Sequence, residues 1–197
     1  MGVMQDGLIL EITVEYEKQI IVPKDKPLHQ FILCPVGLVG SGKTTVVKPL
    51  SEKLNLVRIS GDEVRKILKE KGYGYENLNQ ILRPLLEKYL AEGHSLCIDR
   101  DCVSPSAKKF LLQVEASGKA KLVWVHINPP GEFILNKLTS HEGGWLGNEA
   151  LVENYHERKA LQQNLDLPFT YTFDTSKQDL ETQIDEAAQI IKKVTGN

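Results

Sequence analysis

Eight residues, Gly37-Leu38-Val39-Gly40-Ser41-Gly42-Lys43-Thr44, carry the most specific chemical pattern in this chain. They match G-x-x-x-x-G-K-[ST], follow the apolar run Phe31-Ile32-Leu33-Cys34, and open a helix-like stretch from Lys43 to Leu54. Glycines at these positions let successive backbone N–H groups turn toward one point and form a nest for an anion. The N-terminal end of the following helix adds its partial positive charge there. Lys43 is then placed to reach the outer phosphates of a nucleoside triphosphate, and the Thr44 hydroxyl to ligate Mg²⁺. The spacing therefore predicts a nucleoside triphosphate with Mg²⁺, ATP being the expected cofactor although the spacing does not choose between ATP and GTP. Gly37, Val39, Gly40, Ser41, Gly42, Lys43, Thr44 and Thr45 are the expected nucleotide contacts.

In open parallel sheets, ligands sit beyond the carboxyl ends of the strands, so acidic residues at those ends come next. Asp99 closes the apolar run Ser95-Leu96-Cys97-Ile98 and is the candidate second metal ligand beside Thr44, directly or through water. Asp62, in Ser60-Gly61-Asp62-Glu63-Val64-Arg65, follows the second strand and could accept the proton of an attacking hydroxyl, although Asp is also a common helix N-cap. Arg65, one turn into the same helix, suits a bidentate clamp on an anionic substrate or a surface ion pair. Arg100 and Asp101 follow Asp99 and lie near the same edge, as do His126 and His141, which read more readily as structural or solvated residues.

The elements that must position these groups alternate from Phe31 onward. Strands are expected at Phe31–Cys34, Leu56–Ile59, Ser95–Asp99, Leu122–Ile127 and Phe169–Phe173, separated by helical stretches. Such alternation gives right-handed crossovers and a parallel sheet covered on both faces. Residues 1–30 fall outside this unit. Alternation in Leu8–Tyr16 and Gln19–Val22, with Glu17-Lys18 between, predicts a β-hairpin extension, and Pro23 and Pro27 a connection to the core. Two prolines sit awkwardly: Pro35 at the end of a central strand and Pro49 inside the first helix.

The 197 residues predict one domain with an appendage. A net charge of −2 gives no general attraction to nucleic-acid backbones. No apolar stretch approaches a membrane span, and the first residues do not have the form of a secretion signal. Cys34, Cys97 and Cys102 show no metal spacing, and an odd count points to a reducing cytoplasm.

The phosphate loop, Gly61-Asp62-Glu63-Val64-Arg65 and the strand ending at Asp99 together resemble the P-loop kinases. That group includes adenylylsulfate kinases, polynucleotide 5′-hydroxyl kinases, zeta-toxin-like kinases and other small-molecule kinases. The Gly-Asp-x-Val-Arg segment is similar to the adenylylsulfate kinase signature, and Val103-Ser104-Pro105 echoes a Ser-Pro found there after the third strand. The likeness covers about Phe31 to Val194. It implies a three-layer α/β/α P-loop NTPase fold with a five-stranded parallel sheet of order 2-3-1-4-5 in residues 31–197. It also implies Lys43, Asp62 and Arg65 as the catalytic set, with Asp62 as base and Arg65 on the substrate.

The loop around residues 139–148 is glycine-rich and resembles a closing lid. It contains no arginine, which leaves Lys137, Arg158 and Lys159 as its candidate cations. The expected function is ATP-dependent phosphorylation of a hydroxyl on a small molecule. One alternative is an ATP-binding switch using the N-terminal extension for a protein partner or self-association; another is a polynucleotide 5′-hydroxyl kinase, which the charge balance disfavours.

Overall fold

A computed structural model describes residues 6–140, 147–162 and 165–197. Its centre is a sheet of five parallel strands: β1 (Phe31–Val36), β2 (Val57–Ser60), β3 (Leu96–Asp99), β4 (Lys121–Ile127) and β5 (Phe169–Phe173). Their order is β2-β3-β1-β4-β5, as the resemblance implies. β1, β3 and most of β4 are buried on both faces, which is why they read as nearly continuous apolar runs.

Helices cover both faces. α2 (Lys43–Lys53) and α8 (Leu180–Thr195) pack on one side, where Val46, Val47, Leu50, Ile184 and Ile191 meet Leu33, Val123 and Val125 of the sheet. On the other side lie α3 (Gly61–Glu70), α4 (Leu78–Ala91) and α5 (Pro105–Ala116), where Val64, Leu68, Leu82 and Leu111 meet Ile32, Ile59 and Ile98. A smaller cluster joins α6 (Gly131–Thr139) and α7 (Asn148–Gln162), where Ile134, Leu138, Leu151 and Tyr155 pack beneath Leu38 and Val39 of the phosphate loop.

Both awkward prolines are accommodated. Pro35 lies beyond the recorded β1–β3 register, which pairs Ile32 with Leu96 and Leu33 with Cys97, in the part of β1 aligned with β4. α2 runs through Pro49 without ending.

The N-terminal hairpin is overturned. Asp6–Glu17 is a helix, α1, and residues 18–30 form no strand. The apolar set Leu8, Ile9, Leu10, Ile12, Val14 and Tyr16 satisfies both periods. Ile12 and Tyr16, four apart, are fully buried, with Leu8 and Ile9 half-buried one turn earlier, while Leu10 and Val14 point to solvent. The helical period won because it sets one stripe against α3 and α4, and burial of Ile12 and Tyr16 contributes about 1.5–3 kcal/mol for each apolar side chain. α1 is thus part of the main core and not an appendage on its surface.

Candidate functional site

The turn between β1 and α2 needs its glycines. Gly40 and Gly42 have φ of +78° and +88°, in the left-handed region. A Cβ on Gly40 would lie 2.8 Å from Leu138 Cδ2, and one on Gly37 2.7 Å from the carbonyl oxygen of Ile127. Ser41 is wholly buried beneath the turn, and its carbonyl accepts a 2.7 Å hydrogen bond from Thr175 Oγ1. The loop is therefore held from three sides, by α6, β4 and the segment after β5. Lys43 Nζ donates to the carbonyls of Gly37 (2.8 Å) and Leu38 (2.9 Å), so its ammonium lies over the loop. Burial lowers its pKa, opposed by the charges of Asp62, Asp99 and Asp101.

The carboxyl ends of β1, β2 and β3 open into one cleft of about 380 Å³. Gly37, Val39, Gly40, Gly42, Thr44 and Thr45 line it with Lys43, and Asp62, Arg65 and Asp99 face them. Thr44 Oγ1 donates to Asp99 Oδ1 at 3.3 Å, which brings the two expected metal ligands together. Both present hard oxygen donors, and Mg²⁺ needs only one or two protein oxygens beside phosphate and water, so this pair fits that ion. Asp62 occupies the first turn of α3, but the N-cap is Ser60, whose side chain accepts from the N–H of Glu63 at 3.5 Å. The capping explanation for Asp62 is thereby removed. Asp62 Oδ1 accepts from Arg65 Nη1 at 2.5 Å.

Among the lid cations, Lys137 and Arg158 line the cleft, and Arg158 Nη1 donates to Asp101 Oδ2 at 3.0 Å. Lys159 faces elsewhere, into a cavity shared with His126. His126 stacks on Phe169 with ring centres 4.6 Å apart, and burial lowers its pKa, which fits a structural role. Of the expected lid at about residues 139–148, residues 141–146 with His141 lie outside the described residues.

Sequence reasoning missed a partly buried polar chain behind the cleft. Arg58 of β2 donates through Nη1 to Asp99 Oδ2 at 2.6 Å and through Nη2 to Glu63 Oε1. Glu63 Oε2 in turn accepts from Tyr16 Oη at 3.4 Å, and Tyr16 Oη accepts the N–H of Ser60 at 2.6 Å. Asp99 is 4 % exposed; burial raises its pKa, and the Arg58 guanidinium pulls it back down. One signal was available: Arg58 is a charged residue between the apolar neighbours Val57 and Ile59 of a short strand, where an unpaired charge would be costly. A cavity of about 530 Å³ lies beside this chain, between α2, α3 and the segment after α1. It is remote from the phosphate loop.

A 2-3-1-4-5 parallel sheet with this loop after its first strand defines the P-loop NTPase fold. The chain belongs to the AAA domain family, whose model matches residues 32–143. Among curated proteins, adenylosuccinate synthetase of Plasmodium falciparum is 26 % identical over 110 residues, covering 53 % of this chain and 25 % of that protein. Cytidine diphosphoramidate kinase of Campylobacter jejuni is 41 % identical over 58 residues, covering 27 % of this chain and 33 % of that protein. The matches thus span only a quarter to a third of these relatives. Among solved structures, one from the PezAT toxin–antitoxin system of Streptococcus pneumoniae has a TM-score of 0.62 at 14 % identity, covering 98 % of each chain. A gluconokinase of Sinorhizobium meliloti has a TM-score of 0.57 at 15 % identity, covering 88 % of this chain and 97 % of that one. At such identities the structural likeness speaks for the fold. Among the described residues, no helix is long and apolar enough to cross a membrane.

Proposed function

We propose that this protein is an ATP-dependent phosphotransferase acting on a hydroxyl of a small molecule. The observation that carries the reading is the convergence of Lys43, Thr44, Asp99, Asp62 and Arg65 on one cleft from three different elements, α2, β3 and α3. A nucleotide-binding loop alone would not need an aspartate at the start of α3 that caps nothing.

The loop amides and Lys43 bind the triphosphate and offset charge on the transferred group. Thr44 and Asp99 would hold Mg²⁺, which supplies further charge neutralisation on the phosphates. Asp62 orients the acceptor hydroxyl and takes its proton as the acceptor oxygen bonds to the γ-phosphorus. The bond between that phosphorus and the bridging oxygen breaks, and ADP leaves. Arg65 fixes Asp62 and faces the acceptor. Lys137 and Arg158 supply positive charge from α6 and α7. Alignment and electrostatics are enough for this reaction, since phosphoryl transfer asks little covalent chemistry of the protein.

The rival reading, a nucleotide-operated switch, drew on an arginine-free lid and an unexplained extension. Arg158 in the cleft and α1 in the core answer both points without a partner protein. The test is to incubate the protein with Mg²⁺, ATP and a pool of hydroxylated metabolites and follow both ADP and new phosphorylated products. ADP formation that depends on a metabolite supports a kinase; slow ADP release with no phosphorylated product supports the switch.

A further inference from the structure

Arg100, just after β3, has a setting that the reading above leaves unused. Its Nη1 donates to Asn79 Oδ1 at 2.8 Å, its Nε is buried without a hydrogen-bond partner, and among the described residues it forms no ion pair. Burial lowers its pKa, and the nearby positive charge of Arg65 adds to the effect. The two arginines meet over Gly61. A Cβ there would lie 3.2 Å from Arg100 Cβ and 3.6 Å from Arg65 Nη1, so both side chains pass close to this glycine. Two arginines close enough for their charges to act on each other, one of them without a countercharge, form an arrangement that an anion completes.

Arg100 also forms the wall between the phosphate-loop cleft and a second cavity of about 130 Å³ between α4 and α5. Leu82, Leu86, Ile98, Phe110 and Leu111 make that cavity mainly apolar. Its size suits a single ring or a short branched chain. Asp62 lines the phosphate-loop cleft and pairs with Arg65.

We propose that the acceptor is a small organic anion whose charged group lies between Arg65 and Arg100 and whose apolar body enters the cavity between α4 and α5. The hydroxyl to be phosphorylated would then face Asp62. This rests on the phosphotransferase reading, which it narrows from any hydroxylated small molecule to amphipathic anions.

The test titrates phenyl phosphate, inorganic phosphate and phenol into protein saturated with Mg²⁺ and a non-hydrolysable ATP analogue, so that the loop is already filled. Backbone amide NMR shifts report both affinity and location. Phenyl phosphate is expected to bind about tenfold or more tighter than either fragment, with shifts at Arg65, Arg100 and α5. Arg100→Met should weaken it at least tenfold, and Arg100→Lys, which keeps the charge but loses the fork, should fall between. Ala107→Phe, on the α5 wall of the cavity, should reduce phenyl phosphate to the level of inorganic phosphate and leave inorganic phosphate unchanged. Thermal melts confirm that each variant is folded. Equal binding of phenyl phosphate and inorganic phosphate, or no effect of Arg100→Met and Arg100→Lys in folded protein, overturns the proposal. Failure of the ATP analogue itself to bind would contradict the phosphotransferase reading instead, so the two can be told apart.

Discussion

The phenol oxygen of Tyr16 accepts the backbone N–H of Ser60 at 2.6 Å, so a side chain from the N-terminal helix fixes the turn that carries Asp62. The same oxygen reaches Glu63, and through Glu63 and Arg58 the contact extends to Asp99 and Thr44. Removing the hydroxyl leaves the Ser60 N–H buried without an acceptor, which costs about 1–3 kcal/mol. Tyr16→Phe should therefore lower stability by about that amount in urea denaturation. Turnover should fall several-fold while nucleotide affinity, set by the loop, stays near wild type. Reduced affinity with unchanged turnover would place Tyr16 outside this role.

Arg58 offsets the buried charge of Asp99, and its loss has a characteristic pH dependence. Burial already raises the Asp99 pKa in the folded protein, so its ionisation weakens the fold as pH rises through that value. Arg58 opposes this rise. In Arg58→Met the folded pKa moves higher still and the penalty at neutral pH grows, to about 3 kcal/mol or more for a buried carboxylate stripped of its partner. Well below the ordinary carboxylate range Asp99 is protonated in both states and the two proteins should differ far less. Denaturation curves from pH 3 to pH 8, a range of roughly five units around carboxylate titration, should show the gap widening with pH. A constant gap would mean that the pair with Asp99 is not what Arg58 supplies.

Asp62 caps nothing, so its replacement should touch chemistry more than folding. Asp62→Asn is expected to lower turnover by about 10²-fold or more with nucleotide affinity nearly intact. Full activity would remove it from the proton-accepting role. The measurement is steady-state phosphorylation beside a nucleotide titration of the same preparation.

Gly40 tests the loop from the packing side. Alanine there must adopt a left-handed backbone and place its methyl 2.8 Å from Leu138 Cδ2, with Ile134 behind it. The backbone term alone costs about 1–2 kcal/mol, and relief requires the loop or the Leu138 side chain to move. Gly40→Ala should lose nucleotide affinity by more than tenfold while the rest of the fold keeps its circular dichroism. Unchanged affinity would show that the loop tolerates a different path.

The phosphate loop, the positions of Asp62 and Asp99 after or at the ends of strands, and the parallel sheet were legible because each depends on neighbours within a few residues or on the alternation of elements. The sheet order came from the resemblance to P-loop kinases. α1 was not, because Leu8–Tyr16 carries apolar residues at both period two and period four, and only packing against α3 and α4 chooses between them. The chain from Tyr16 to Asp99 joins residues 44 and 41 positions apart, so no local spacing points to it, and Arg58 offered only its unusual place in an apolar strand. Arg158 stood among three candidate cations, and its approach to Asp101 depends on how α7 folds back over the end of β3.

Calorimetric titration of the purified protein with ATP and Mg²⁺ tests most directly whether the loop around Lys43 grips a triphosphate. The expected result is a saturable heat with one nucleotide per chain that Lys43→Ala abolishes. No heat of association at nucleotide concentrations of about 1 mM, or equal binding by Lys43→Ala, would contradict it.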